Sequence, residues 1–98
     1  MDRLTLVQTY RDDILRLAAA HGAYNVRLFR SVARGEAGPD SDEDFLVEMD
    51  PLCSLLDTIG LCQELEVLLG CKVDVVTEPA LHRLLRKRIL REAVPLQR

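Results

Sequence analysis

The spacing of apolar residues alternates along the chain between helical and strand-like periods, and the switches mark its elements. Leu6, Val7, Tyr10, Ile14, Leu17 and Ala18 recur at helical spacing, which predicts a helix from about Leu4 to Ala20, stopped at Gly22. Asn25 to Phe29 alternates and predicts a strand; Glu43 to Met49 predicts a second, broken by Asp50-Pro51. Between them, Ser31 to Gly35 reads as a tight turn or a single helical turn, and Glu36 to Ser41 as a loop. Ser54 can cap a helix with Leu55, Ile59, Cys62, Leu65, Leu68 and Leu69 on its apolar positions, ended by Gly70. Gly60 sits inside that helix at a cost of about 1 kcal/mol relative to Ala, which close packing on the sheet would offset. Lys72 to Thr77 predicts a third strand. Pro79 suits the first turn of a last helix that runs to about Ala93, with Leu81, Leu84, Leu85, Ile89 and Leu90 inward and Pro95 as its stop. The order α-β-(turn)-β-α-β-α predicts an α/β (α+β) sandwich with a small sheet packed against helices.

Composition narrows the class without deciding the function. The chain has 98 residues, 48% apolar and 30% charged, as expected for one small soluble domain over residues 1–98 with a thin core. No apolar run approaches the roughly 20 residues that span a bilayer, and the N-terminus lacks a signal-peptide pattern, so the expected location is cytoplasmic. Cys53, Cys62 and Cys71 form no C-x-x-C pair, and His21 and His82 lie far apart. That spacing argues against a zinc site or a disulfide framework, and the cysteines are expected to pack as small hydrophobes. Net charge is only −3, but it is segregated: Glu36 to Asp50 holds seven acids and no base, and Leu81 to Arg91 holds five bases and no acid.

The acids carry the chemistry. Asp42 and Asp44 are two apart at the mouth of the second strand, so both side chains lie on one face. Two such carboxylates can share one Mg²⁺ and leave room for waters and substrate phosphates. Asp74 lies within the third strand, on the face opposite Val73 and Val75, where an unpaired charge would cost desolvation. If the third strand lies beside the second, the three acids converge, and Asp74 can also take a proton from an incoming hydroxyl. Each acid also has a plainer reading: Asp42 as a turn cap, Asp44 as a surface charge, Asp74 as the partner of an arginine in the last helix. The pair alone is weak. The pair with a small-residue turn upstream, flanking apolar strands and a third in-strand Asp is strong.

With these residues in place, the sequence resembles the minimal nucleotidyltransferases, the MntA-like branch of the DNA polymerase β-type superfamily. Their signature is Gly-Ser, ten residues, then Asp-x-Asp, commonly extended as Gly-Ser-x-Ala-Arg-Gly and Ser-Asp-x-Asp-hydrophobic. Ser31, Ala33, Arg34, Gly35, Ser41, Asp42 and Asp44 match at the right spacing, and Asp74 matches the third acid. The resemblance covers almost the whole chain. It implies a palm-like fold with a small mixed sheet, and Mg²⁺ on Asp42, Asp44 and Asp74. It places ATP phosphates at the turn carrying Arg30, Ser31 and Arg34. It also implies a HEPN-domain partner, a toxin whose tyrosine receives AMP from the antitoxin.

One residue departs from the pattern. Arg30 stands where the family has Gly, a residue that lets backbone approach phosphates and adopt any φ the turn needs. Three functions are therefore weighed: a Mg²⁺-dependent nucleotidyltransferase, a transferase-derived antitoxin that neutralises a HEPN partner by contact alone, and a nucleic-acid-binding domain using the basic helix. The last lacks aromatic platforms, since Tyr10, Tyr24, Phe29 and Phe45 are few and mostly at apolar positions, so direct nucleic-acid binding is not expected. The basic helix instead presents Arg83, Lys87 and Arg91 at i, i+4 and i+8, an outward stripe expected to meet an acidic or phosphate-bearing surface.

Overall fold

The computed structural model describes residues 3–29, 43–81 and 83–96. The elements run α1 (Arg3–Thr9), α2 (Arg11–Ala20), β1 (Ala23–Phe29), β2 (Glu43–Met49), α3 (Leu55–Leu69), β3 (Val73–Thr77), a 3-10 turn (Glu78–Ala80), α4 (Arg83–Glu92) and β4 (Val94–Pro95). The four strands form one mixed sheet in the order β3-β2-β1-β4, with β2 and β3 parallel and the other neighbours antiparallel. This is the α/β arrangement expected. The Ser31–Gly35 turn and the Glu36–Ser41 loop lie outside the described residues.

Alternation along the strands builds two cores. Phe45 and Val47 of β2 pair in register with Val75 and Thr77 of β3, and their side of the sheet meets Val7, Ile14, Ala18, Leu61, Leu65 and Leu69 from α1, α2 and α3. The other side carries a smaller cluster, Phe29, Leu46 and Ile89, with Val76, Leu81 and Leu90 around it. Thus α1–α3 cover one face and α4 covers part of the other.

Local signals fix α3 at both ends. Ser54 accepts from Leu56 N–H, Asp57 accepts from Ser54 N–H, and Gly70 ends the helix at φ +70°. Its inward stripe is Leu61, Leu65 and Leu69, however; Leu55 and Ile59 are exposed. Nor does Gly60 pack on the sheet: a β-carbon there would meet the His21 ring at 3.1 Å, so the close approach is to the end of α2.

Three other expectations change. The first helix divides at Tyr10, with φ −101° and ψ 16°, although Tyr10 still accepts from Ile14 N–H. The last begins with a 3-10 turn, and Leu84 in α4 is 81% exposed rather than inward. Its end folds back: Val94-Pro95 pairs with Leu28 and Arg27 as an edge strand, a position that tolerates proline's missing N–H.

Candidate active site

The β2–α3–β3 unit places two of the predicted acids side by side. Asp44 and Asp74 are register partners on adjacent parallel strands. Register partners share a face at a strand spacing of about 4.8 Å. That face is the one carrying Leu46 and Val76, two residues further along each strand. On the other flank of Asp44 the register partner is Phe29, the last residue of β1. Asp44 is only 5% exposed and Asp74 is half-buried, so both sit at the rim of the smaller core.

The electrostatics follow from that placement. Burial raises the Asp74 carboxyl above its ordinary value, the charge of Asp44 raises it further, and the backbone N–H of Val75 partly opposes both. Asp74 makes no ion pair with an arginine of α4 among the described residues; Arg86 pairs with Glu78 and Arg88 with Glu92. The plainer reading of Asp74 as an arginine's partner therefore fails. Two hard oxygen donors held side by side, like charge against like charge, fit a hard divalent cation, whose charge would relieve the repulsion. Among the described residues no group of three metal-ligating side chains converges. Asp42, the third predicted acid, lies outside them, as do Arg30, Ser31 and Arg34.

A charged network further along the same face was not foreseen. Glu78 accepts from Arg27 of β1 at 3.4 Å and forms an ion pair with Arg86 of α4 at 3.5 Å, joining the sheet to the helix that covers part of the acid-bearing face. The Arg27 side chain is only 12% exposed, and its Nη2 is buried without a partner among the described residues. The available signal was a base between Val26 and Leu28 in a strand. A cleft of about 500 Å³ lies at the opposite end of the strands, lined by Tyr24, Glu48, Asp50, Thr77, Glu78 and Arg86. From Asp44 to Glu48 is four residues, roughly 13 Å along the strand, so this cleft is separate from the acids.

Residues 10–96 match the family model for the nucleotidyltransferase domain. A provisionally named protein adenylyltransferase of Methanocaldococcus jannaschii is 46% identical over 83% of this chain and 87% of its own length. The protein adenylyltransferase MntA of Thermococcus cleftensis is 44% identical over 74% of each chain. Among solved structures, one provisionally described as a minimal nucleotidyltransferase is 49% identical over 97% of this chain and 96% of its own, with TM-score 0.77. Two more distant structures share the fold. One is the Shewanella oneidensis MNT antitoxin with a tri-AMPylated HEPN toxin (21% identical, TM-score 0.68, covering 92% of this chain and 71% of that one). The other is a toxin–antitoxin with AMP-PNP (21% identical, TM-score 0.65, covering 89% and 72%). On the matched domain and these identities, the chain belongs to the nucleotidyltransferase domain family, among the minimal, MntA-like protein adenylyltransferases.

Proposed function

We propose that residues 1–98 form a single minimal nucleotidyltransferase domain that transfers AMP from ATP to a hydroxyl of a HEPN-domain partner, as the antitoxin of that toxin in the cytoplasm. The observation that carries the proposal is the Asp44–Asp74 pair, two carboxylates held abreast at the rim of an apolar cluster. Asp42, Asp44 and Asp74 would hold Mg²⁺. When bound, that metal supplies positive charge at the phosphates and at the attacking oxygen.

The chain's own residues then have separable roles. Parallel pairing of β2 with β3 fixes the spacing of Asp44 and Asp74 before any ligand arrives, so no side-chain search precedes binding. The acceptor oxygen attacks the α-phosphorus and a new P–O bond forms. The bond from that phosphorus to the β-phosphate bridge breaks, pyrophosphate leaves with the electron pair, and the hydroxyl proton passes to a base. Asp74, whose proton affinity is raised by burial and by Asp44, is the base we assign. Ser31, Arg30 and Arg34 are assigned to the ATP phosphates by their motif positions.

A second reading rests on Arg30: with the motif glycine replaced, the chain would neutralise its partner by contact alone. Incubation with α-labelled ATP, Mg²⁺ and a HEPN-domain protein from the same organism separates the two. Label on the HEPN protein, lost with Asp44→Asn, is expected. Tight binding and toxin neutralisation without label would favour the contact-only reading.

A further inference from the structure

The basic stripe of α4 is not used by the site described above, and its orientation is informative. Ile89 is a buried residue of the helix and clusters with Phe29 and Leu46. Lys87 and Arg91 are each two residues from Ile89, hence about 200° around the helix, and so point away from the sheet. Arg83, Lys87 and Arg91 are all exposed. None makes an ion pair among the described residues, whereas Arg86 and Arg88 on the neighbouring positions are both paired. Leu84 lies within the same outward surface and is 81% exposed.

The helix also has a direction relative to the acids. Arg86 lines the cleft at the far end of the strands, while Ile89, three residues later, packs on Phe29, the register partner of Asp44. α4 therefore runs from the cleft end toward the acid end, over the acid-bearing face. A body resting on its outer surface approaches the molecule from the side on which Asp44 and Asp74 stand.

We infer that Arg83, Lys87 and Arg91, with Leu84 among them, form the docking surface for the acceptor protein and recognise an acidic patch on it beside the acceptor hydroxyl. The inference rests on the transferase reading above. Three cations that find no ion pair among the described residues call for negative charge on the partner. Their outward aim argues against a grip on ATP phosphates held at the acids, because the three side chains point away from the face on which Asp44 and Asp74 stand. The exposed leucine favours a protein surface over RNA, since it offers an apolar anchor and α4 carries no aromatic residue for a base to stack on. The stripe also offsets the repulsion that the chain's net charge of −3 would otherwise present to an acidic partner.

The test is the variant Arg83→Glu/Lys87→Glu/Arg91→Glu, with its thermal unfolding checked against the parent. Affinity for a HEPN-domain protein from the same organism is measured by calorimetry at low and high salt, and transfer kinetics are measured with the same protein. The expected result is affinity weakened roughly 10- to 100-fold, a matching rise in KM for the HEPN protein, unchanged affinity for ATP–Mg²⁺, and a flatter salt dependence. Unchanged affinity for the HEPN protein at both salt concentrations overturns the inference in favour of a solvated face. A parallel loss of ATP affinity overturns it in favour of a phosphate grip. Loss of binding to a labelled single-stranded RNA, with the HEPN protein still bound normally, assigns the stripe to nucleic acid instead. Because the calorimetry needs no transfer, a parent that binds but transfers no AMP defeats the transferase reading while still testing the docking surface. A parent that does not bind the HEPN protein overturns the docking surface itself.

Discussion

The sulfur of Cys53 occupies the place where a side chain on Gly22 would begin. Gly22 has φ +79° in the turn between α2 and β1, and its carbonyl accepts from Asp50 N–H at 2.8 Å. Two turns that are distant in sequence are therefore packed backbone to side chain, and this packing seats β2 against the end of α2.

Gly22→Ala should cost about 2–4 kcal/mol, from the strained φ and the overlap with Cys53 together. Adding Cys53→Ala should recover the overlap part and leave about 1 kcal/mol. Gly70→Ala, at φ +70° but with open space around it, should cost about 1 kcal/mol only. Urea unfolding of the three variants checks the ranking, and equal costs at residues 22 and 70 would refute the role given to Cys53.

Asp44→Asn and Asp74→Asn should each lower AMP transfer by more than about 100-fold, because an amide is a poorer ligand for Mg²⁺ than a carboxylate. A second readout needs no activity. Mg²⁺ should raise the Tm of the parent, and either substitution should abolish or strongly reduce that rise.

The stability of the metal-free protein should depend on pH through Asp74. Burial, and then Asp44, raise its carboxyl in the folded state, so the fold holds this proton more tightly than the unfolded chain does. Its contribution is fully present below the ordinary Asp value of about 3.9 and is lost as pH rises through the raised value. Asp74→Asn removes the dependence. Tm of the variant minus Tm of the parent should therefore grow from acid toward neutral pH. A difference that shrinks over that range would contradict the placement of the pair.

Arg30→Gly restores the motif glycine without touching the acids, and transfer should rise. A fall in ATP affinity would show instead that Arg30 grips phosphate. Asp42→Asn with Asp44→Asn should abolish transfer in either background.

Much of the fold was legible because apolar spacing reports it. The strand carrying Asp74 read correctly because Val73 and Val75 alternate with it, and both ends of α3 read correctly because Ser54 and Gly70 act locally. What failed were choices that only tertiary packing makes. Leu55 and Ile59 have the residue type of a core but face solvent, because the stripe through Leu61, Leu65 and Leu69 already fills α3's contact with the sheet; Leu84 does so because α4 turns Ile89 inward instead. β4 escaped because two residues carry no period, and its pairing depends on where β1 lies. Of the site, Asp44 and Asp74 were read together from strand placement and now stand abreast. The Arg27–Glu78–Arg86 network was not seen, since its members are spread over 60 positions that only the fold unites.

The direct pairing of Asp44 with Asp74 makes the site a matter of parity. A strand shifted by one residue against its neighbour turns every side chain over. Asp74 would then enter the large core and Val75 would take its place beside Asp44. No partial version of this site exists between those two states. A one-residue insertion or deletion between Gly70 and Val73 would therefore leave Asp44 in place without its partner carboxylate, and the packing of Leu61, Leu65 and Leu69 with Val73 and Val75, which holds β3 in its present phase, guards the pair without touching it.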